Sequence, residues 1–211
     1  MLEAYIVVLA GVILAQAAPG PNLIAVAGVA LGTGRIHAIA TAIGVSLAIF
    51  LWVALVSAGL ATVLKLYPEL LTVMKVGGGG YLLYLAFKGA RAAWNGVRPS
   101  IKTDGSSYTL FSAFQKGFLV NITNPKSAMM WSSVATFLFG SGFSAVQVLL
   151  FAPLGALSAL CIYGFYGYLF SSDMMRALYV KAARWFEAAF AAAFGTIGGK
   201  LFFDGLKEIE Q

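Results

Sequence analysis

Lys126 is the residue of this sequence whose position asks most insistently for a chemical partner. It stands in Asn124-Pro125-Lys126, with long apolar runs on either side. An ionised lysine near the middle of a membrane helix costs at least about 2.5–3.5 kcal/mol on insertion scales, so it must face a protein interior and be paired there. The carboxylate of a bound solute is one such partner, and a carbonyl freed by the neighbouring proline is another; alternatively the side chain snorkels. A second irregularity, Pro19-Gly20-Pro21-Asn22, lies near the start of the chain. Two prolines and a glycine remove backbone hydrogen bonds from a helix. Inside a membrane the freed groups need neighbours or a polar cavity. The helical turns that restart after Pro21 and Pro125 present unpaired N–H groups and a positive dipole end, which suits an anion. Asn22, Asn121 and Asn124 add amide donors and acceptors, and Gln16 lies one to two turns before the first break. Each asparagine serves equally as a local cap of a broken helix.

The elements that must carry these residues follow from composition. Of 211 residues, 60% are hydrophobic and only 10% are charged, against about 25% charged in a soluble domain. So few charges cannot furnish a water-facing surface, and lipid must solvate most of the exterior. Each span takes roughly 20 residues, so about six spans exhaust the chain and leave no soluble domain. The net charge of +6 falls between the apolar segments, which reads as attraction to a membrane surface and not to nucleic acid. One cysteine, Cys161, and one histidine, His37, rule out an internal disulfide and a Cys-rich metal site and weigh against a His-based one. No nucleophile–base or metal constellation of an enzyme is visible, and no cofactor or metal is expected. The N-terminus lacks a basic region, so the first apolar run reads as a retained span.

The apolar runs give an all-α membrane fold of six transmembrane helices. The first, interrupted at Pro19-Gly20-Pro21-Asn22, closes at Gly32-Thr33-Gly34-Arg35. The second runs from about Ala38 to Leu64 and the third from about Leu70 to Ala92. The fourth starts near Leu110 and breaks at Asn124-Pro125-Lys126. Gly140 to Ser144 turns into the fifth, which ends near Phe170; Ser171 to Arg184 reads as a charged loop; the sixth runs from about Trp185 to Phe203. The chain forms a single transporter-like unit with one repeat over 1–94, a linker over 95–108 and a second repeat over 109–211. Pro21 and Pro125 lie 104 residues apart, about half the chain. An odd number of spans per repeat inserts the second copy upside down, and paired broken helices point to a solute site at the repeat interface. Nine Lys and Arg lie on one side and three on the other, with Lys75 and Lys126 inside spans. The positive side belongs in the cytoplasm, which places both termini outside.

Taken together, Pro19-Gly20-Pro21-Asn22 followed by Gly34-Arg35 resembles the signature of the LysE/RhtB amino-acid exporter family, of the homoserine and threonine efflux type. Lys75 with Gly78 and Tyr81-Leu82-Leu83-Tyr84-Leu85 resembles its third-span pattern. Gly117-Phe118-Leu119, Asn121 and Asn124-Pro125-Lys126 resemble its fourth-span motif. The resemblance covers the whole chain in order. It implies the inverted-repeat fold, a bacterial cytoplasmic membrane and export of amino acids or similar metabolites by proton antiport. Ala86, where glycine is usual, and Glu187, where a small residue is usual, depart from the pattern and bear on substrate subclass.

Under this reading the substrate-binding residues are Gln16, Pro19, Gly20, Pro21, Asn22, Asn121, Asn124, Pro125 and Lys126. Lys75 and Glu187 are the coupling candidates; Lys75 alternatively snorkels, and Glu187 alternatively pairs with Arg184 one turn earlier. The scarcity of carboxylates inside the spans favours a neutral amino acid such as homoserine, threonine or leucine. Export of another small metabolite or a metal ion, or a role as a non-transport membrane subunit, are the competing readings, although hard cations want several carboxylates. The GxxxG spacings Gly28/Gly32 and Gly195/Gly199 allow close helix packing, internally or in a homodimer.

Overall fold

The computed structural model describes residues 2–67, 69–96 and 107–209, and the regular structure in them is entirely helical. In chain order the helices are α1 (Leu2–Ala17), α2 (Pro21–Gly32), α3 (Arg35–Leu66), α4 (Leu70–Asn95), α5 (Leu110–Ile122), α6 (Pro125–Gly140), α7 (Ala145–Leu149), α8 (Phe151–Leu169) and α9 (Asp173–Ile209). Both proline motifs break a helix where the sequence places them. Pro21 and Pro125 each occupy the first turn of a new helix, where the missing N–H costs nothing and the fixed φ is already helical. Most of the linker over 95–108 lies outside the described residues; at its start Gly96 caps α4 with φ 68°, a left-handed conformation that favours glycine.

Among the described residues the stretches Arg35–Thr62, Leu70–Asn95, Ala145–Leu169 and Ala177–Ile209 are long and apolar enough to cross a membrane, and α1 with α2, bent by 46° at their break, passes the same test as a pair, as a broken span or a re-entrant loop. Helices α5 and α6, of 13 and 16 residues, are each shorter than the roughly 20 residues of a full span. The expected charged loop from Ser171 to Arg184 is corrected. Helix α9 already begins at Asp173 and continues unbroken to Ile209. Charge does not stop a helix, and Met, Arg, Ala, Leu and Lys are good helix formers.

The most extensive helix pairs are α4 with α9, α3 with α5 and α3 with α8. Glycine sets how closely they approach. A Cβ on Gly117 would overlap the Thr41 carbonyl, and one on Gly44 would overlap the Phe114 carbonyl, so the α3 and α5 backbones touch. Between α4 and α9 the close approach lies at Gly79 and Gly198. This corrects the GxxxG reading for packing of α9 within the chain: a Cβ on Gly199 would meet nothing within 4 Å, and Gly195 faces only Ala86. Without a hydrophobic driving force in lipid, such backbone approach is a main source of helix association.

The Thr41 carbonyl belongs to a helix backbone and cannot rotate aside. Gly117→Val is therefore expected to destabilise the fold by about 1–3 kcal/mol, read as a lower melting temperature of the detergent-solubilised protein. Gly199→Ala should leave that temperature unchanged or raise it, and equal melting of the two variants would refute the α3–α5 packing.

Candidate functional site

Breaking α1 after Ala17 leaves its last carbonyls without helical partners. The Ala17 carbonyl accepts hydrogen bonds from two tyrosine hydroxyls, Tyr166 of α8 and Tyr179 of α9, each at 3.0 Å. The rings of Tyr166 and Tyr179 meet edge to face at 5.2 Å. At the second break the Asn121 carbonyl accepts from the indole N–H of Trp52 at 3.4 Å. The Asn124 side chain accepts from the Lys126 backbone N–H at 3.0 Å and caps α6. Capping is thus one role that Asn124 fills.

The two breaks meet at a cavity of about 40 Å³. Gln16, Gly20, Pro21, Asn22, Asn121, Asn124 and Lys126 all line it. Pro19 sits in the turn between α1 and α2, and Pro125 opens α6. The lining also includes Ser127, Trp131 and Tyr163. Gln16 is held in place: its amide donates to the Gly155 carbonyl at 3.1 Å and accepts from the Ser158 hydroxyl at 3.0 Å. The Asn22 amide donates to the Tyr163 hydroxyl at 3.5 Å, and the Asn121 amide donates to the Ser127 hydroxyl at 3.3 Å. Three buried polar atoms on this lining have no partner among the described residues: Asn22 Oδ1, Asn121 Oδ1 and Trp131 Nε1. Buried polar atoms are nearly always paired, so two acceptors and one donor left open around one cavity mark a place for a polar occupant.

Lys126 makes no ion pair or hydrogen bond through its ammonium to a described residue. That group lies over the Phe190 ring, 5.3 Å from its centroid. Glu187, buried on α9, is close enough for the two charges to act on each other without forming an ion pair, and Lys88 adds a like charge. Arg184 does not pair with Glu187; its guanidinium stacks over Trp185 at 5.0 Å. Glu187 is instead packed against Gly89 of α4, where a Cβ would come within 3.3 Å of its carboxylate.

Lys75 is placed elsewhere. It is buried at 7% exposure and ion-pairs with Glu208 near the end of α9 at 2.5 Å, while the Thr72 hydroxyl donates to the other Glu208 oxygen at 2.9 Å. Fourteen residues of α4 separate it from Gly89, about 21 Å along the axis. The ammonium ends on a carboxylate that is itself exposed near the end of α9, so ion pairing and snorkelling coincide here.

A LysE type translocator pattern matches residues 13–205. The chain belongs to the LysE type translocator family. Among relatives, a threonine efflux protein of Escherichia coli K12 is 25% identical, with 94% of this chain and 97% of the relative covered. A threonine efflux protein of Salmonella typhi is 27% identical, covering 88% and 91%. An uncharacterized membrane protein of Haemophilus influenzae is 28% identical, covering 90% and 92%. No solved structure matches the chain. Family membership and the apolar helices together make this translocator a membrane protein.

Sequence reasoning missed Tyr163, Tyr166, Tyr179, Trp52 and Ser158. Nothing local distinguishes these residues, because their partners lie 69 to 162 positions away. For the tyrosine pair the expectation is cooperative. Tyr166→Phe or Tyr179→Phe alone leaves the Ala17 carbonyl with one donor and costs little. The double variant strands a buried carbonyl at a cost of about 1–3 kcal/mol, more than the sum of the singles. A double-mutant cycle of thermal stability measures this, and strict additivity would exclude the shared acceptor.

Proposed function

We propose that the protein is a secondary exporter of small zwitterions, neutral amino acids such as threonine, homoserine or leucine being the best fit. The cavity at the two breaks carries this reading. Its open acceptors, Asn22 Oδ1 and Asn121 Oδ1, suit an ammonium. Lys126, the Trp131 N–H and the N-termini of α2 and α6 suit a carboxylate. Threonine efflux proteins among the relatives support the same solute class. A volume of about 40 Å³ holds little more than one water, so the structure corresponds to a closed state that must widen to admit solute.

The two halves, 1–94 and 109–211, form inverted repeats in this reading, and α5 with α6 makes the sixth span across Thr123-Asn124. Packing supports it. Exchanging the halves turns α3–α5 into α8–α1, α3–α6 into α8–α2 and α2–α5 into α6–α1, all of which are in contact. Outside that correspondence, α4 packs on α6 while α9 packs on α1. The distribution of Lys and Arg supports a cytoplasmic membrane orientation with both termini outside. Proton coupling is assigned to Glu187, because it lies beside Lys126, and not to Lys75, which Glu208 already neutralises.

Cells fed threonine-, homoserine- or leucine-containing dipeptides test the function. Expression should raise external and lower internal levels of at least one of these amino acids, and Lys126→Ala should cut that export about tenfold or more, the size expected when a buried charge loses its partner. Unchanged levels of all three, or full export by Lys126→Ala, would overturn the reading. Coupling has its own readout: in proteoliposomes Glu187→Gln should abolish uptake driven by a pH gradient while sparing solute exchange.

A further inference from the structure

A second cavity, of about 470 Å³, opens between the start of α1, the end of α6 and the last third of α9. Glu3, Phe137, Ser141, Thr196, Lys200 and Asp204 are on its lining. Lys126 and Gly140, fourteen residues apart on α6, line the first and second cavities respectively. The nearest α6 residues on the two linings, Trp131 and Phe137, are still six residues apart, about 9 Å along the helix, and no residue is shared between the two linings.

The charges of this cavity do not neutralise one another. No ion pair joins Glu3, Lys200 and Asp204. Lys200 precedes Asp204 by four residues on α9, the less favourable order for a helical pair of opposite charge. Its ammonium lies over the Phe137 ring, 5.8 Å from the centroid, rather than on the carboxylate. Glu3 faces the same space from α1. Among the described residues the cavity thus offers two carboxylates and one ammonium without an ion pair, Glu3 and Lys200 at its exposed rim and Asp204 half-buried, with Ser141 and Thr196 beside them. The Thr196 hydroxyl donates to the Ala192 carbonyl at 2.9 Å, and its oxygen remains able to accept. An occupant with one charge satisfies only part of that set. A molecule carrying both an ammonium and a carboxylate satisfies all of it. Volume agrees, because small-molecule sites run from about 300 to 1,000 Å³.

We infer that this cavity is a second zwitterion-binding site, in which Glu3 and Asp204 receive the ammonium of an amino acid and Lys200 receives its carboxylate. The inference rests on the amino-acid exporter reading and extends it. The site lies at the end of the bundle away from the Lys- and Arg-rich side. Outbound solute reaches it after the central cavity, and solute held there re-enters the centre when the outside concentration is high.

Equilibrium dialysis of L-[3H]threonine against the purified full-length protein in nanodiscs tests this. The parent should bind two equivalents, and one should remain both in Lys126→Gln and in the combined Glu3→Gln, Lys200→Gln, Asp204→Asn variant. One equivalent that is lost in Lys126→Gln and untouched by the combined variant overturns the second site and leaves the central one standing. One equivalent that is lost in the combined variant and retained in Lys126→Gln upholds the second site and overturns the central reading. No binding of threonine, homoserine or leucine by any form overturns both. A second measurement covers misfolding of the combined variant. With Cys161→Ala as background, threonine should slow the reaction of Thr196→Cys with a charged maleimide about threefold or more, the protection expected once threonine exceeds its Kd severalfold, and should still do so in Lys126→Gln. Unprotected labelling overturns the site.

Discussion

Everything near the central cavity depends on how the backbone is satisfied where α1 stops. In lipid a bare carbonyl has no water to turn to, so a helix broken inside a membrane survives only if side chains from elsewhere complete it. Here the Ala17 carbonyl draws in Tyr166 and Tyr179. These two hydroxyls fix α8 and the first turns of α9 against the end of α1. That docking in turn sets Tyr163 against Asn22 and brings Glu187 and Phe190 towards Lys126. The second break depends on its neighbours less. Asn124 caps it locally, and Trp52 reaches the Asn121 carbonyl from α3.

Two lysines, Lys75 and Lys126, are held within the bundle, and their surroundings differ. Lys75 and Glu208 neutralise each other, with the lysine stem packed against Gly140 and Gly205. That arrangement is static: breaking it strands a buried ammonium. Lys126 and Glu187 sit near each other without an ion pair, and an aromatic ring attends the ammonium. In the proposed exporter these two charges would have no strong ion pair to give up before taking a ligand or a proton.

The breaks at Pro21 and Pro125 were legible because proline acts on its own turn, whatever the rest of the chain does. Lys126 was legible because a charge among apolar residues stands out without any knowledge of the fold. Glu208, Tyr166 and Tyr179 were not legible as partners. A terminal glutamate and two tyrosines in aromatic stretches look ordinary until the fold brings Lys75 and Ala17 to them. The segment from Ser171 to Arg184 misled for a different reason: polarity reports where water is, and a helix that projects beyond the membrane meets water without ending. Glycine misled in a third way. Spacing along α9 picked out Gly195 and Gly199, whereas the neighbouring helix chose Gly198, since only the partner's surface decides which face of a helix is the seam.

The direct backbone contact between α3 and α5, and the glycine seam between α4 and α9, determine which parts of the molecule can shift independently. Side chains at an ordinary interface can re-interlock after a small slide. At Gly44, Gly117, Gly79 and Gly198 there is little or no side chain to yield, so sliding drives main chain into main chain or into a fixed side-chain base. Each pair behaves as a welded plate. For the proposed exporter this leaves tilting of one pair against the other, at the interrupted turns Ala18–Gly20 and Thr123–Asn124, as the motion that would open the cavity at the breaks.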